Sequence, residues 1–125
     1  MRPNKRQLPE GVEVYTGRTW FILPIDAIEY ILCYIEEHPD YVDFWKESLA
    51  SDLMFFQTII QNSPLNKRVE DELMYTHWEG RRNNHPLDIS IEDDAAIEAG
   101  PFFCARKFNY ADTDVVNYYL QKTRQ

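Results

Sequence analysis

At 125 residues the chain has the size of one domain, long enough to bury a core but short for a complete enzyme that binds two substrates. Its formal net charge of −8, from 21 acidic and 13 basic residues, excludes a nucleic-acid backbone as partner, because phosphate backbones need a positive surface. The longest apolar run falls far short of the ~20 residues of a membrane span and the N-terminus lacks the apolar segment of a signal peptide, so no anchoring or export signal is expected within these residues.

Residues 1–11, with Pro3, Pro9 and Gly11, read as an extended lead-in that supplies no core. Val12 to Tyr15 and Thr19 to Leu23 are short β-prone runs around Thr16-Gly17-Arg18, which predicts a strand, a turn and a second strand. From Pro24 to His38 the residues Ile25, Ile28, Ile31, Leu32 and Ile35 follow the helical period, with Pro24 at the start and Pro39 just beyond the end. Tyr41 to Ala50 is a shorter aromatic helical piece. Ser51 to Ser63 then has the form of an N-capped central helix about three turns long, opening on Ser51 and Asp52 and ending before Pro64. Residues 64–71 are polar and predict a loop. Leu73 to Trp78 reads as a strand, Ser90-Ile91-Glu92-Asp93 as a capping box for a short helix ending at Gly100-Pro101, Phe102 to Phe108 as a strand, and Asp112 or Thr113 as the cap of a final helix to about Lys122. Short strands mixed with four to five helices, without strict alternation, indicate an α/β or α+β piece. Cys33 and Cys104 sit inside apolar runs without metal-ligand spacing and read as small core residues, with no disulfide indicated.

Three constellations could carry chemistry. In the strand 102–108 the cations Arg106 and Lys107 alternate faces, so at most one faces a given site; it either binds phosphate or both are solvated. Asp112-Thr113-Asp114 has a metal-holding Asp-x-Asp form, although helix capping explains it fully. Tyr75, His77 and Trp78, running into Glu79-Gly80-Arg81-Arg82, suit a sugar, whose apolar faces stack while its hydroxyls need hydrogen bonds. His77 and His85 match no metal spacing and read as ordinary histidines, and no metal or cofactor is expected.

Gly17-Arg18-Thr19-Trp20-Phe21, Ala50 to Thr58 (ASDLMFFQT), Tyr75-Thr76-His77-Trp78, His85-Pro86 and Ala105-Arg106-Lys107-Phe108-Asn109 together resemble the core-2/I-branching β-1,6-N-acetylglucosaminyltransferase family, which includes the peptide O-xylosyltransferases. The patches run in the family's order across almost the whole chain. The resemblance implies that residues 12–125 form the C-terminal half of a GT-A-type α/β catalytic domain, with the nucleotide-binding half expected before Met1. It also implies an inverting, metal-independent transferase with a UDP-sugar donor and a glycan or glycoprotein acceptor. Any membrane association would come through other segments, with a Golgi membrane location in a eukaryote and a cytoplasmic one in a bacterium.

By the same resemblance Lys107 takes the family's diphosphate-binding lysine and Trp78 borders the acceptor sugar; Trp20, beside its turn, and His77, on the aromatic stretch, are further candidates for sugar contact. A partner arginine of the family falls at Asn84, so that cation is missing unless Arg81 or Arg82 reaches in from the loop. The general-base glutamate falls at Leu53, which cannot accept a proton. Asp52 could take its place only if the helix start rotated, since adjacent helical residues point about 100° apart. Two readings follow: the C-terminal portion of a branching-type transferase with its base position vacated, truncated and with its activity in question, or a non-catalytic glycan or sugar-nucleotide binding module or degenerate fragment.

Overall fold

The computed structural model describes residues 7–78 and 85–124. The chain divides into two compact units, Met1–Glu70 and Asp71–Gln125, and each is described by itself.

The first unit is a small helical cluster. Helix α1 spans Ile25–Glu37 with Pro24 at its N-cap, and Pro39 sits at the first position of α2, Pro39–Lys46, where a missing N–H costs nothing and the fixed φ is already helical. A 3₁₀ turn, Ser51–Leu53, leads into helix α3, Phe55–Gln61, and a second 3₁₀ turn, Pro64–Arg68, follows, with the Ser63 hydroxyl accepting from Leu65 N. The core gathers Ile31, Tyr41, Trp45 and Ile59, with Leu8, Val12, Leu23, Met54 and Phe55 packed around them. Leu8 thus lends core contact to a stretch expected to add none. Tyr41 is fully enclosed. Its hydroxyl donates to Phe55 O at 2.6 Å, and burial pushes its pKa up to about 12.

The central helix is shorter than its sequence suggests. Ala50 adopts a left-handed φ of 55° and Met54, at φ −133°, breaks the path between the 3₁₀ turn and α3. Neither Ser51 nor Asp52 makes a capping bond at these helix starts. The Leu53 carbonyl is instead engaged by Gly17 N at 2.8 Å, and the helical ladder begins one residue later, with Thr58 N bonded to Met54 O.

The two expected N-terminal strands are not strands. Residues 12–18 form an extended strap whose polar groups are met by helix side chains. Asn62 accepts from Glu13 N at 3.1 Å and donates to Glu13 O at 2.7 Å. Thr58 accepts from Tyr15 N at 3.0 Å and donates to Tyr15 O at 3.1 Å. Gln57 Nε2 donates to Arg18 O at 2.7 Å. A β-prone run needs its backbone satisfied, and here an α-helix supplies the partners in place of a neighbouring strand. Gly17 is needed for the approach, since a Cβ there would lie 2.8 Å from Gln57 Cγ.

The second unit carries β1, Met74–Thr76, and β2, Cys104–Arg106. They pair in parallel, with Met74 opposite Cys104 and Thr76 opposite Arg106. Between them run a short 3₁₀ turn, Ile91–Asp93, opened by a reciprocal Ser90–Asp93 capping box, and α4, Asp94–Ala99, which stops at Gly100. Helix α5, Thr113–Thr123, is capped by Asp112, whose carboxylate accepts from Val115 N; this accounts for the Asp-x-Asp sequence. Tyr119 donates to Ser90 O at 2.7 Å and Tyr118 to Asp94 at 2.6 Å. Lys122 pairs with Asp94 and Glu98. Among the described residues, five helices and a two-stranded parallel sheet fit the α/β class.

Both cysteines are exposed and free, against the expectation that they are buried. Cys33 lies on the outward face of α1 and Cys104 opens β2 at a point where the sheet leaves it uncovered.

Thr58 is fully buried, so Thr58→Val strands both Tyr15 backbone groups against an apolar methyl. The expected loss is roughly 2 kcal/mol in urea unfolding, with the denaturant slope unchanged.

Candidate functional site

Parallel pairing brings the carboxyl ends of β1 and β2 side by side, because Thr76 and Arg106 are in register. His77 and Trp78 follow the first strand end, and Lys107 follows the second. The segment after His85-Pro86 ties the two together: Leu87 N donates to His77 O at 2.7 Å, and Ile89 N to Lys107 O at 2.8 Å. Pro86 and Ile89 are buried and anchor this crossing, while His85 is exposed. Ligands of open parallel sheets bind beyond the carboxyl ends of the strands, and here that edge carries an exposed cation and an exposed indole.

Trp78 is 46 % exposed and its Nε1 donates to Thr76 Oγ1 at 2.8 Å, which fixes the ring from its polar end while leaving apolar surface to solvent. His77 Nδ1 lies 2.9 Å from Asp93. Asp93, 6 % exposed, is the hub of this edge. It also accepts from Tyr75 at 2.7 Å and from Ser90 N at 2.8 Å. Burial opposes its ionisation, but the bonds from Ser90 N, Tyr75 and His77 outweigh that and hold its carboxyl below the usual range. The Tyr75 hydroxyl is raised in turn, first by its hydrogen bond to Asp93. The capping box is legible in the sequence. The second use of Asp93, toward residues 16 and 18 positions earlier, has no local signal.

In the first unit the Gly17 to Trp20 stretch runs past the 3₁₀ turn that holds Asp52 and Leu53, joined by the Gly17–Leu53 and Arg18–Gln57 bonds. Trp20 is 56 % exposed. Asp52 is exposed and Leu53 half-buried. The sequence-predicted residues therefore fall into two sets: Trp20 and Asp52 in the first unit, His77, Trp78 and Lys107 in the second. Arg81 and Arg82 lie outside the described residues. Among the described residues no group of three or more His, Cys, Asp or Glu converges as a metal site, and no helix is long and apolar enough to cross a membrane.

The carboxyl ends of β1 and β2 thus lead into an exposed aromatic ring, Trp78, and an exposed cation, Lys107. The sequence model of the Core-2/I-Branching enzyme family matches residues 1–97, and the chain belongs to that family. It is 27 % identical over 141 residues to xylosyltransferase 2 of Rattus norvegicus, covering 95 % of this chain and 16 % of that protein. It is 28 % identical over 140 residues to xylosyltransferase 1 of Homo sapiens, covering 95 % of this chain and 15 % of that one. The chain thus spans about a sixth of the length of these relatives. No solved structure matches it.

Asp93→Asn removes the charge that three donors converge on, and should cost ~1.5–3 kcal/mol at neutral pH. Because the folded pKa of Asp93 is depressed, the wild-type advantage is full above about pH 4, the ordinary carboxylate range. It shrinks as pH falls through the folded value. Urea unfolding of both proteins from pH 7 to 3 checks this, with the two stabilities converging in acid.

Proposed function

We propose that this chain is part of a glycosyltransferase of the GT-A type that transfers a sugar from a UDP-sugar donor to a glycan or protein hydroxyl, inverting and without a metal. The observation that supports the reading is the parallel register pairing Thr76 with Arg106, the residues that His77-Trp78 and Lys107 follow in sequence, in a chain of the branching-enzyme family. Lys107 meets the charge that grows on the diphosphate as the bond from the anomeric carbon to UDP breaks, an electrostatic role suited to a preorganised cation. Trp78 stacks on a sugar face with His77 next to it in sequence, Trp20 in the first unit is a further candidate for sugar contact, and Arg81 or Arg82 is the second cation toward the diphosphate. The relatives' names favour a xylosyl donor over an N-acetylglucosaminyl one. A Golgi membrane location goes with a eukaryotic source and a cytoplasmic one with a bacterial source.

Transfer also needs a group to take the proton from the attacking hydroxyl, and positioned bases contribute ~10²- to 10⁴-fold in rate. Leu53 stands where the resemblance puts that base. Asp52, adjacent on the 3₁₀ turn, makes no capping bond and is the remaining carboxylate at this turn. An inactive or weakly active form follows. The second reading, a sugar-nucleotide or glycan binding module, is favoured by Leu53 itself.

Thermal unfolding of the chain with and without UDP, in chelator, tests the donor site. UDP at 100 times its dissociation constant should add ~2.7 kcal/mol, several degrees for a chain of this size, and Lys107→Ala should abolish the shift. An unshifted parent that still unfolds cooperatively means that these residues hold no donor site by themselves, which removes the sugar-nucleotide-binding reading of this chain. Leu53→Glu, assayed together with a supplied N-terminal half of the domain, separates the two readings: if the transferase reading holds it raises transfer of labelled sugar to an acceptor peptide by roughly 10²-fold, whereas a binding module gains no turnover.

A further inference from the structure

Helix α1 is apolar on two faces. Ala27 and Ile31 point into the first unit and are 4 % exposed, while Ile25, Ile28 and Leu32 stand 71 %, 39 % and 57 % exposed. Spacings of three and four put these three on one outward stripe, the a and d positions of two heptads. A surface helix with one partner carries polar residues there, so the stripe has the composition of a second interface.

The flank of the stripe says what covers it. Glu29 and Glu36, one heptad apart and both exposed, line its edge at the positions that set partner choice in paired helices. Helix α1 carries four carboxylates (Asp26, Glu29, Glu36, Glu37) and no basic residue. Asp26 already holds Arg68 at 2.6 Å, and that bond keeps its carboxyl below the usual range. An antiparallel second copy would set Glu29 and Glu36 against their equivalents, in a chain of net charge −8. An anionic lipid surface meets the same repulsion.

We propose that the outward face of α1 docks an amphipathic helix whose apolar stripe is flanked by lysine or arginine. Ile25, Ile28 and Leu32 supply the apolar seam, while Glu29 and Glu36 select the basic flank and fix orientation, since charge complementarity acts on specificity more than on raw affinity.

The test uses the full chain and two fluorescein-labelled, lactam-constrained synthetic helices with leucine at a and d. One carries lysine at e and g, the other glutamate. In fluorescence anisotropy at low salt the lysine helix should bind at least ~10-fold more tightly. Glu29→Lys with Glu36→Lys should reverse that order, and Ile25→Ser with Leu32→Ser should abolish binding of both helices. Equal affinity for the two helices, binding of neither, or an order unchanged by the charge reversal overturns the proposal. So does self-association in sedimentation velocity, or binding to phosphatidylserine vesicles, that disappears in the double serine variant, because the occupant is then a second copy or a lipid surface. The charge-reversal pair alters only exposed residues and keeps the test decisive should the serine pair unfold.

Discussion

The first unit depends on a match between two repeats. Four residues of α-helix advance ~6 Å and two residues of extended chain advance ~6.7 Å. Thr58 and Asn62, one helical turn apart, can therefore each serve both backbone groups of Tyr15 and Glu13, two residues apart. A threonine hydroxyl and an asparagine amide each both donate and accept, which is what one side chain needs to satisfy an N–H and a C=O together. The helix so acts as the neighbouring strand that the strap lacks. The Leu53 carbonyl extends the pattern to Gly17, and this bond takes Leu53 out of the α-helical ladder and forms the turn that presents Asp52 and Leu53. Residue 53 is thus fixed by its own backbone, whatever its side chain.

The second unit solves a different problem. Two short parallel strands are marginal by themselves, and their carboxyl ends carry polar groups that must be held in place. Asp93 does this from one buried position, taking bonds from Ser90, Tyr75 and His77, while Leu87 and Ile89 bond to the two strand ends. One carboxylate thus ties Tyr75 and His77, at the end of β1, to the start of the following helical turn at Ser90. Its cost is a buried charge, tolerable because its partners are hydrogen-bonded to it.

Much of this was legible from local chemistry. Pro24 and Pro39 bound α1 closely, the Ser90–Asp93 box and the Asp112 cap form as their spacing suggests, and the strands at 73–78 and 102–108 exist in shortened form. The reading failed where a distant partner decides. Thr58 and Asn62 look like ordinary helical residues, and only the strap, 43 and 49 residues earlier, makes them backbone partners; the strap then looks like strand because it is extended. Ser51 and Asp52 carry the right composition for a cap, but the Leu53 bond to Gly17 moves the helix start past them. In α1 the period gave the helix but could not say that Ile25, Ile28 and Leu32 face outward. For the site, five motif patches pointed to the family, and Lys107, His77 and Trp78 do share one sheet edge. The hub Asp93 read only as a cap.

Amide hydrogen exchange along residues 12–18, followed residue by residue by NMR, tests the strap's attachment most directly. If helix side chains and the Leu53 carbonyl stand in for a strand, the amides of Glu13, Tyr15 and Gly17 exchange slowly. Those of Val14 and Thr16, pointing the other way along the extended chain, exchange at rates near those of an unstructured peptide. Uniformly fast exchange would mean the strap is not held by α3, and uniformly slow exchange would mean that it is paired as part of a sheet.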